Sequence, residues 1–390
     1  MTHIAFLIPT VDRIGGAEQQ VLLLAQGLAR RNRMVSVIAL SGTGGGAEAR
    51  LRSQGVEFLS LHMRRGMADP RGWIQLRHWI KAHQPDVVHA HLPHAVLMAR
   101  FSRFVAPVRV LVETIHSPAA GGLLRRFAYR LSAGQPDAIA AVSRAAAEPW
   151  LAREMLAEAQ LAIIPNGIDL EHWRYDSGLR LAARQRLGLC DEFVWLAVGR
   201  LDPVKDHATL IRAFAGLAAR ARLLIVGAGP LESALRREAD ELCIGGKVRF
   251  FGFQSDVLPW IQAADAFVLS SRWEGLPMAF LEAAACQVPA VFTDIPAMRE
   301  LFPDRSDRPV VPVGDPAALA AAMNATMETS ERERRALGET SRKTVAARYS
   351  FSSVLDRWDQ TYCTLLALKA HPSRSGVAPS TLRGRTFQLQ

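Results

Sequence analysis

Short runs of Val, Ile, Leu and Phe alternate along the chain with Ala-rich stretches whose apolar residues recur at helical spacing. The first half predicts strands at 3–8, 34–40, 56–60, 86–90, 109–115, 137–142 and 161–164, with helices near 16–30, 72–83, 93–104, 121–132 and 144–157. Pro165-Asn166-Gly167 is a turn cluster, and the polar stretch from Asp169 to Arg186 reads as the crossing into a second domain. The pattern then restarts, with strands at 193–199, 223–227, 248–250, 266–270 and 290–292 and helices near 206–219, 230–242, 278–286 and 316–327. Phe351 to Ala370 reads as a last helix, and 371–390 carry Pro, Ser, Gly and Arg without periodicity and are predicted to be disordered. Strands alternating with helices in this way argue for parallel βαβ units. The expected fold is α/β: two doubly wound, Rossmann-like domains with a cleft between them, each binding ligands at the carboxyl ends of its strands.

The length of 390 residues fits two such domains better than one core. At 49% hydrophobic and 22% charged residues the composition is that of a globular protein, and no apolar run approaches the ~20 residues that cross a bilayer. The N-terminal run through Ile8 is short, ends at Pro9 and lacks a basic leader, so it reads as a strand and not as a signal peptide. Cys190, Cys243, Cys286 and Cys363 are widely spaced and match neither a metal pattern nor a disulfide scaffold, which makes the cytoplasm the expected compartment. The net charge is +10 and uneven: residues 1–170 hold 19 Lys or Arg against 12 Asp or Glu. A basic half suits nucleic acid, an anionic membrane or a phosphorylated substrate, although a general bias of the chain towards Ala and Arg produces the same excess. Arg125, Arg126 and Arg130 beside Leu123, Leu124, Phe127 and Leu131 outline an amphipathic helix for peripheral contact with an anionic membrane. The same residues read equally as a helix whose apolar side covers the sheet.

Ser271-Arg272-Trp273-Glu274-Gly275-Leu276-Pro277-Met278 carries the strongest chemical signal. It follows a buried strand and opens a helix, with Pro277 at its start and Glu282 on the helix itself. The first N–H groups of that helix can serve an anion or hydroxyl-rich ligand, and two carboxylates can accept from sugar and ribose hydroxyls. On this segment alone, a solvated loop Glu and a helix-surface Glu are as good a reading. Gly199-Arg200 with Lys205 places two cations just past the first strand of the second half, where they could hold a departing diphosphate or be plain surface charges. Gly15-Gly16 before the first helix would let backbone approach a phosphate, or simply make a βα connection. Gly227-Ala228-Gly229 is a glycine turn that lets a nucleotide pass, and Glu232 in place of a third glycine argues against a dinucleotide fingerprint. His116 ends the fifth strand, where it can bond a sugar hydroxyl or an acceptor, or merely pack in a loop. His89, His91 and His94 lie close in sequence, but no carboxylate or Cys completes a metal set.

Together these motifs, with Pro165-Asn166-Gly167-Ile168-Asp169 and Thr114-Ile115-His116-Ser117, resemble those of the retaining glycosyltransferases of family 4, which have the GT-B fold. The resemblance covers roughly residues 3 to 368 and implies an acceptor-side domain at 1–168, a nucleotide-sugar domain at 169–350 and a helix at about 351–370 that crosses back to the first. It implies that Arg200 and Lys205 hold the donor diphosphate, helped by the backbone at Gly15 and Gly16. It further implies that Glu282 binds the ribose and that Glu274, with the amides from Gly275 and Leu276 to Pro277 and Met278, holds the sugar. Gly227 and Gly229 would line the donor, and His116 would face its sugar. Neither metal nor cofactor is implied, the nucleotide sugar being a substrate. Gln287 stands where a glycine is common, Asp206 where Gly or Asn is often found, and Pro296-Ala297 replaces a glycine-containing turn; these bear on the donor sugar, not on the reaction class.

The expectation is therefore a cytoplasmic, metal-independent hexosyltransferase that moves a sugar from a nucleotide diphosphate, UDP being the first choice, to a glycan or lipid-linked acceptor in cell-surface polysaccharide or glycolipid synthesis. The rivals are a sugar-nucleotide epimerase of similar fold and a non-enzymatic binder of anionic membrane or nucleic acid. No helix-turn-helix, zinc or RNA-recognition signature supports nucleic acid.

Overall fold

A computed structural model describes residues 1–12, 15–64, 69–119, 121–156, 158–217, 220–303 and 310–370. The expectation of disorder at 371–390 falls outside them. The chain divides into two compact units, Met1–Gly167 with the segment from Ser352 onward, and Ile168–Phe351.

The first unit holds β1 (His3–Ile8), β2 (Met34–Ala39), β3 (Glu57–Ser60), β4 (Val87–His91), β5 (Val110–Ile115), β6 (Ala138–Ala141) and β7 (Leu161–Ile163). They form one parallel sheet in the order β3-β2-β1-β4-β5-β6-β7. Helices cover both faces, so β1, β4 and β5 are buried along their whole length. The helix Phe351–Ala370 belongs to this unit: Arg33 pairs with Asp359 at 2.9 Å, and the Tyr362 hydroxyl lies 2.7 Å from His89 Nδ1.

The second unit holds β8 (Phe193–Val198), β9 (Ala221–Val226), β10 (Val248–Phe250), β11 (Ala266–Leu269) and β12 (Ala290–Phe292), all parallel, in the order β10-β9-β8-β11-β12. Trp195, Leu223, Ala266 and Val268 sit in its core, which the helices His207–Ala215 and Pro316–Glu328 cover on one side. In each sheet the strand order reverses once, between β1 and β4 and between β8 and β11. Those are the switch points outside which doubly wound sheets bind ligands.

Several helices go beyond the hydrophobic pattern: Gly45–Arg52, Ser177–Leu187, Leu258–Ala263, Pro296–Leu301 and Glu331–Tyr349. Ser177–Leu187 lies inside the stretch expected to be a polar crossing. It buries only Ala183, and is fixed instead by its ends, Asp176 accepting from Leu179 N and Gly188 closing it in the left-handed conformation.

Candidate functional site

Both loops at the switch point of the second sheet carry charge. The chain leaves β8 at Gly199 and turns through Asp202, whose carboxylate accepts the backbone N–H groups of Val204 at 3.1 Å and Lys205 at 3.2 Å. The same carboxylate lies 2.6 Å from Arg200 Nε, while the Arg200 side chain stays 74% exposed. Asp206 then takes up φ 48° and ψ 45° and caps the helix His207–Ala215. Asp tolerates this left-handed position better than most residues, and here its carboxylate also lies 3.1 Å from Arg272 Nε, which accounts for an acid at this position.

The loop after β11 is stitched to the loop after β8. Ser270 Oγ donates to Lys205 O at 2.8 Å, and Arg272 N donates to Val204 O at 2.8 Å. Lys205 Nζ lies 2.6 Å from Glu274 Oε1, which also accepts from Ser271 Oγ at 2.6 Å. The Lys205 stem runs across the bare face of Gly199, with its Cε about 3.1 Å from where a Cβ would stand. No side chain caps the helix Met278–Ala285, which begins just past Pro277.

Glu282 sits on that helix in a different setting. It is buried, no hydrogen bond or ion pair reaches its carboxylate among the described residues, and burial, with a smaller push from Asp256, raises its pKa to about 8. A buried carboxyl without a partner is costly to leave empty and is suited to neutral hydroxyl groups, which can both donate to it and accept from it. The two carboxylates thus have distinct environments, one fixed by a cation and a hydroxyl, the other unengaged.

The glycines after β9 are demanded by protein backbone. A Cβ on Gly227, which has φ +148°, would collide with the Gly199 carbonyl, and one on Gly229 would collide with the backbone of Leu201. Leu201 N in turn donates to Ala228 O at 3.1 Å, so the two loops touch main chain to main chain.

In the first unit, Gly15 and Gly16 open the first helix just beyond β1, where the Gly15 N–H is taken by Glu18 Oε2 at 3.0 Å. His116 follows β5, with its Nε2 2.9 Å from His91 Nδ1. Burial lowers the pKa of His116 to about 4 and that of His91 well below 6.5, so both imidazoles are neutral at pH 7 and one must donate to the other. His89 is held separately, between Tyr362 and Thr114 Oγ1, each at 2.7 Å. Its ring nevertheless lies 4.1 Å from that of His91, while His94, on the helix Pro93–Ser102, lies apart beside Arg125. Sequence reasoning passed over Asp202 and Ser271 as site supports. The signal was the Asp202-Pro203 pair, a dipeptide that favours a turn anchored by the Asp side chain.

Two family profiles match the chain, one described as Glycosyltransferase Family 4 over residues 14–172 and one as Glycosyl transferases group 1 over residues 181–344. The chain belongs to family 4 of the glycosyltransferases. EpsD of Bacillus subtilis, a protein assigned as a glycosyltransferase, is 28% identical over 78% of this chain and 84% of its own length. A 4-alpha-N-acetylgalactosaminyltransferase of Campylobacter jejuni, named for a glycan carried on diphospho-undecaprenol, is 30% identical over 54% of this chain, a match that spans 58% of that enzyme. Among solved structures, Anabaena Alr3699/HepE in complex with UDP and glucose superposes with a TM-score of 0.82 at 20% identity, over 93% of this chain and all of that one. Sucrose-phosphate synthase from Thermosynechococcus elongatus gives 0.81 at 22% identity, over 94% of this chain and 100% of its own. The chain accordingly has the GT-B type of fold and is a retaining, nucleotide-sugar glycosyltransferase. None of its described helices is long and apolar enough to cross a membrane.

Proposed function

We propose that the enzyme transfers a hexose-type sugar from a UDP-sugar to a glycan or lipid-linked acceptor, without a metal, in the cytoplasm. The observation that carries this reading is the gathering of Arg200, Lys205 and Glu274 on the two loops that flank the β8/β11 switch point, with unengaged Glu282 on the helix behind. Arg200 and Lys205 would meet the diphosphate and stabilise its charge as the bond from the anomeric carbon to the diphosphate oxygen breaks and one to the acceptor oxygen forms. Glu282 would take the ribose hydroxyls. Glu274 and the backbone from Gly275 through Leu276 and Pro277 to Met278 would hold the sugar, and His116 would bond a hydroxyl of the sugar or of the acceptor. Support for UDP comes from the UDP and glucose bound to the Anabaena neighbour. Support for a lipid-linked acceptor comes from the Campylobacter jejuni relative and from an Escherichia coli relative named as a galactosyltransferase using UDP-Gal and a GlcNAc-diphosphoundecaprenol.

The test is a thermal-shift screen of nucleotide sugars, followed by transfer assays in EDTA with the best donor and undecaprenol-diphosphate sugars or free glycans. Donor-dependent labelling of an acceptor is expected. Conversion of the donor to its epimer without an acceptor would favour the epimerase reading, and failure to bind any nucleotide sugar would overturn both.

A further inference from the structure

The helix Leu123–Leu131 presents its apolar face outward. Leu123, Leu124, Phe127 and Leu131 are 80%, 88%, 67% and 68% exposed, whereas Tyr129 is buried. At 3.6 residues per turn those four side chains fall within an arc of about 100°, and Tyr129 points the opposite way. The sequence left open whether this apolar side covers the sheet, and it does not. Tyr129 is the buried residue of the helix and its main anchor, with Ala128 also packed against the core. The Tyr129 ring packs edge-on against Trp150 at 4.9 Å and under the guanidinium of buried Arg100 at 4.7 Å, and Arg100 Nη1 also donates to Tyr129 O at 3.0 Å. Arg100 is in turn held by Glu113 of β5, so the inward side is fixed by a buried ion pair while the apolar side is exposed.

Arg130 and Arg126 flank the exposed face on one side, and Arg125 lies at the inward edge of the helix. Arg126 Nε donates to Gly121 O at 3.1 Å, Arg130 Nη2 to Arg153 O at 2.9 Å, and Arg125 lies against His94. None of the three has a carboxylate within ion-pair distance among the described residues.

We propose that this helix is a docking element that lies in the face of an anionic lipid bilayer, with Leu123, Leu124, Phe127 and Leu131 among the acyl chains and the arginines at the phosphate level. An apolar stripe bordered by unpaired arginines complements lipid more closely than protein. A helix of nine residues extends about 14 Å, well short of what a protein interface of roughly 800 Å² a side takes. The inference does not rest on the donor assignment. The helix starts at the carboxyl edge of the first sheet, on the loop that follows His116, and docking would bring a bilayer to that edge.

The test is flotation of the full chain with phosphatidylcholine vesicles, with and without phosphatidylglycerol, in low and high salt. The parent should float only with the anionic vesicles, and less in high salt. L124S/F127S keeps every charge and R125Q/R126Q/R130Q keeps the apolar face; each should lower the partition coefficient at least tenfold while leaving the nucleotide-sugar thermal shift unchanged. Absence of parental flotation overturns the proposal. So does flotation of L124S/F127S equal to the parent, which would mean diffuse charge alone. A parental dimer that L124S/F127S dissociates, with no vesicle binding, would show that a second copy covers the face.

Discussion

Lys205 Nζ stands 2.6 Å from Glu274 Oε1, and through that pair the loop after β8 is tied to the loop after β11. Loss of either partner leaves the other charge largely buried and unpaired, beside the diphosphate on the proposed reading. Arg200→Ala and Lys205→Ala should each lower kcat/KM at least tenfold, since hydrogen bonds to charged groups are among the stronger ones. Glu274→Gln should act mainly on kcat, because charge develops at the sugar in the transition state. A cycle of Lys205→Met, Glu274→Gln and the double variant should show losses smaller than additive. Strict additivity would show that the pair is not a unit in catalysis.

Glu282 should separate binding from stability. Its folded pKa of about 8 exceeds the ordinary 4.5, so the folded chain keeps a proton that the unfolded chain releases as pH rises between those values. The stability linked to that proton is complete below pH 4.5 and declines as pH rises to about 8. Glu282→Gln, which removes the titration, should therefore melt no lower than the parent without ligand, with an advantage that grows from pH 6 to pH 8. Donor KM should rise several-fold at little cost in kcat. Melting curves across pH and donor titrations check the two halves independently, and an unchanged donor KM would remove Glu282 from the ribose.

The histidines titrate in the other sense. Burial holds His116 and His207 at about 4 and His89 and His91 well below 6.5, with the Lys205 charge adding to the effect on His207. In the window from about 4 to 6.5 the unfolded chain binds protons that the folded one refuses, so stability is complete above 6.5 and falls as pH drops. Denaturant midpoints at pH 7.5, 6 and 5 should decrease in that order. The drop should be smaller in His116→Asn, and an identical slope would exclude His116 as a contributor.

Gln287 holds φ 61° at the end of the helix Met278–Ala285, a conformation that strains any side chain with a Cβ. Gln287→Gly relieves that strain, partly offset by the freedom glycine gains in the unfolded chain, for a net gain of about 1 kcal/mol. A rise of roughly 2–4 °C in Tm follows for a unit of this size. Gly338 of the helix Glu331–Tyr349 lies against the Gln287 carbonyl with no room for a methyl group, so Gly338→Ala should cost about 1–3 kcal/mol. Calorimetry of both variants tests the contact; a neutral Gly338→Ala would show that the helix can shift.

The strands were legible because a parallel strand buried on both faces is a continuous apolar run, as in Ala266–Leu269 and Phe193–Val198. Polar helices escaped the same reading. Glu331–Tyr349 buries Gly338, Ser341, Val345 and Tyr349, mostly small or polar residues with no hydrophobic stripe, and its sequence signal was the capping box from Ser330 to Glu333. In the site, the order of the charged motifs could be read but not their partners. That Glu274 is paired while Glu282 is not follows from loop geometry that residue spacing does not encode. Likewise the outward turn of Leu123, Leu124, Phe127 and Leu131 depends on Tyr129 facing Arg100 and Trp150, and an amphipathic pattern says nothing about which side faces in.

Where the main chain at Gly227 and Gly229 touches that of Gly199 and Leu201, there is no room for variation of any kind. A library that randomises this turn should return glycine at both positions whatever sugar is selected for. On the proposed reading, room for new donor preferences lies instead in the other loop, between Ser271 and Met278, where Arg272 and Trp273 are exposed.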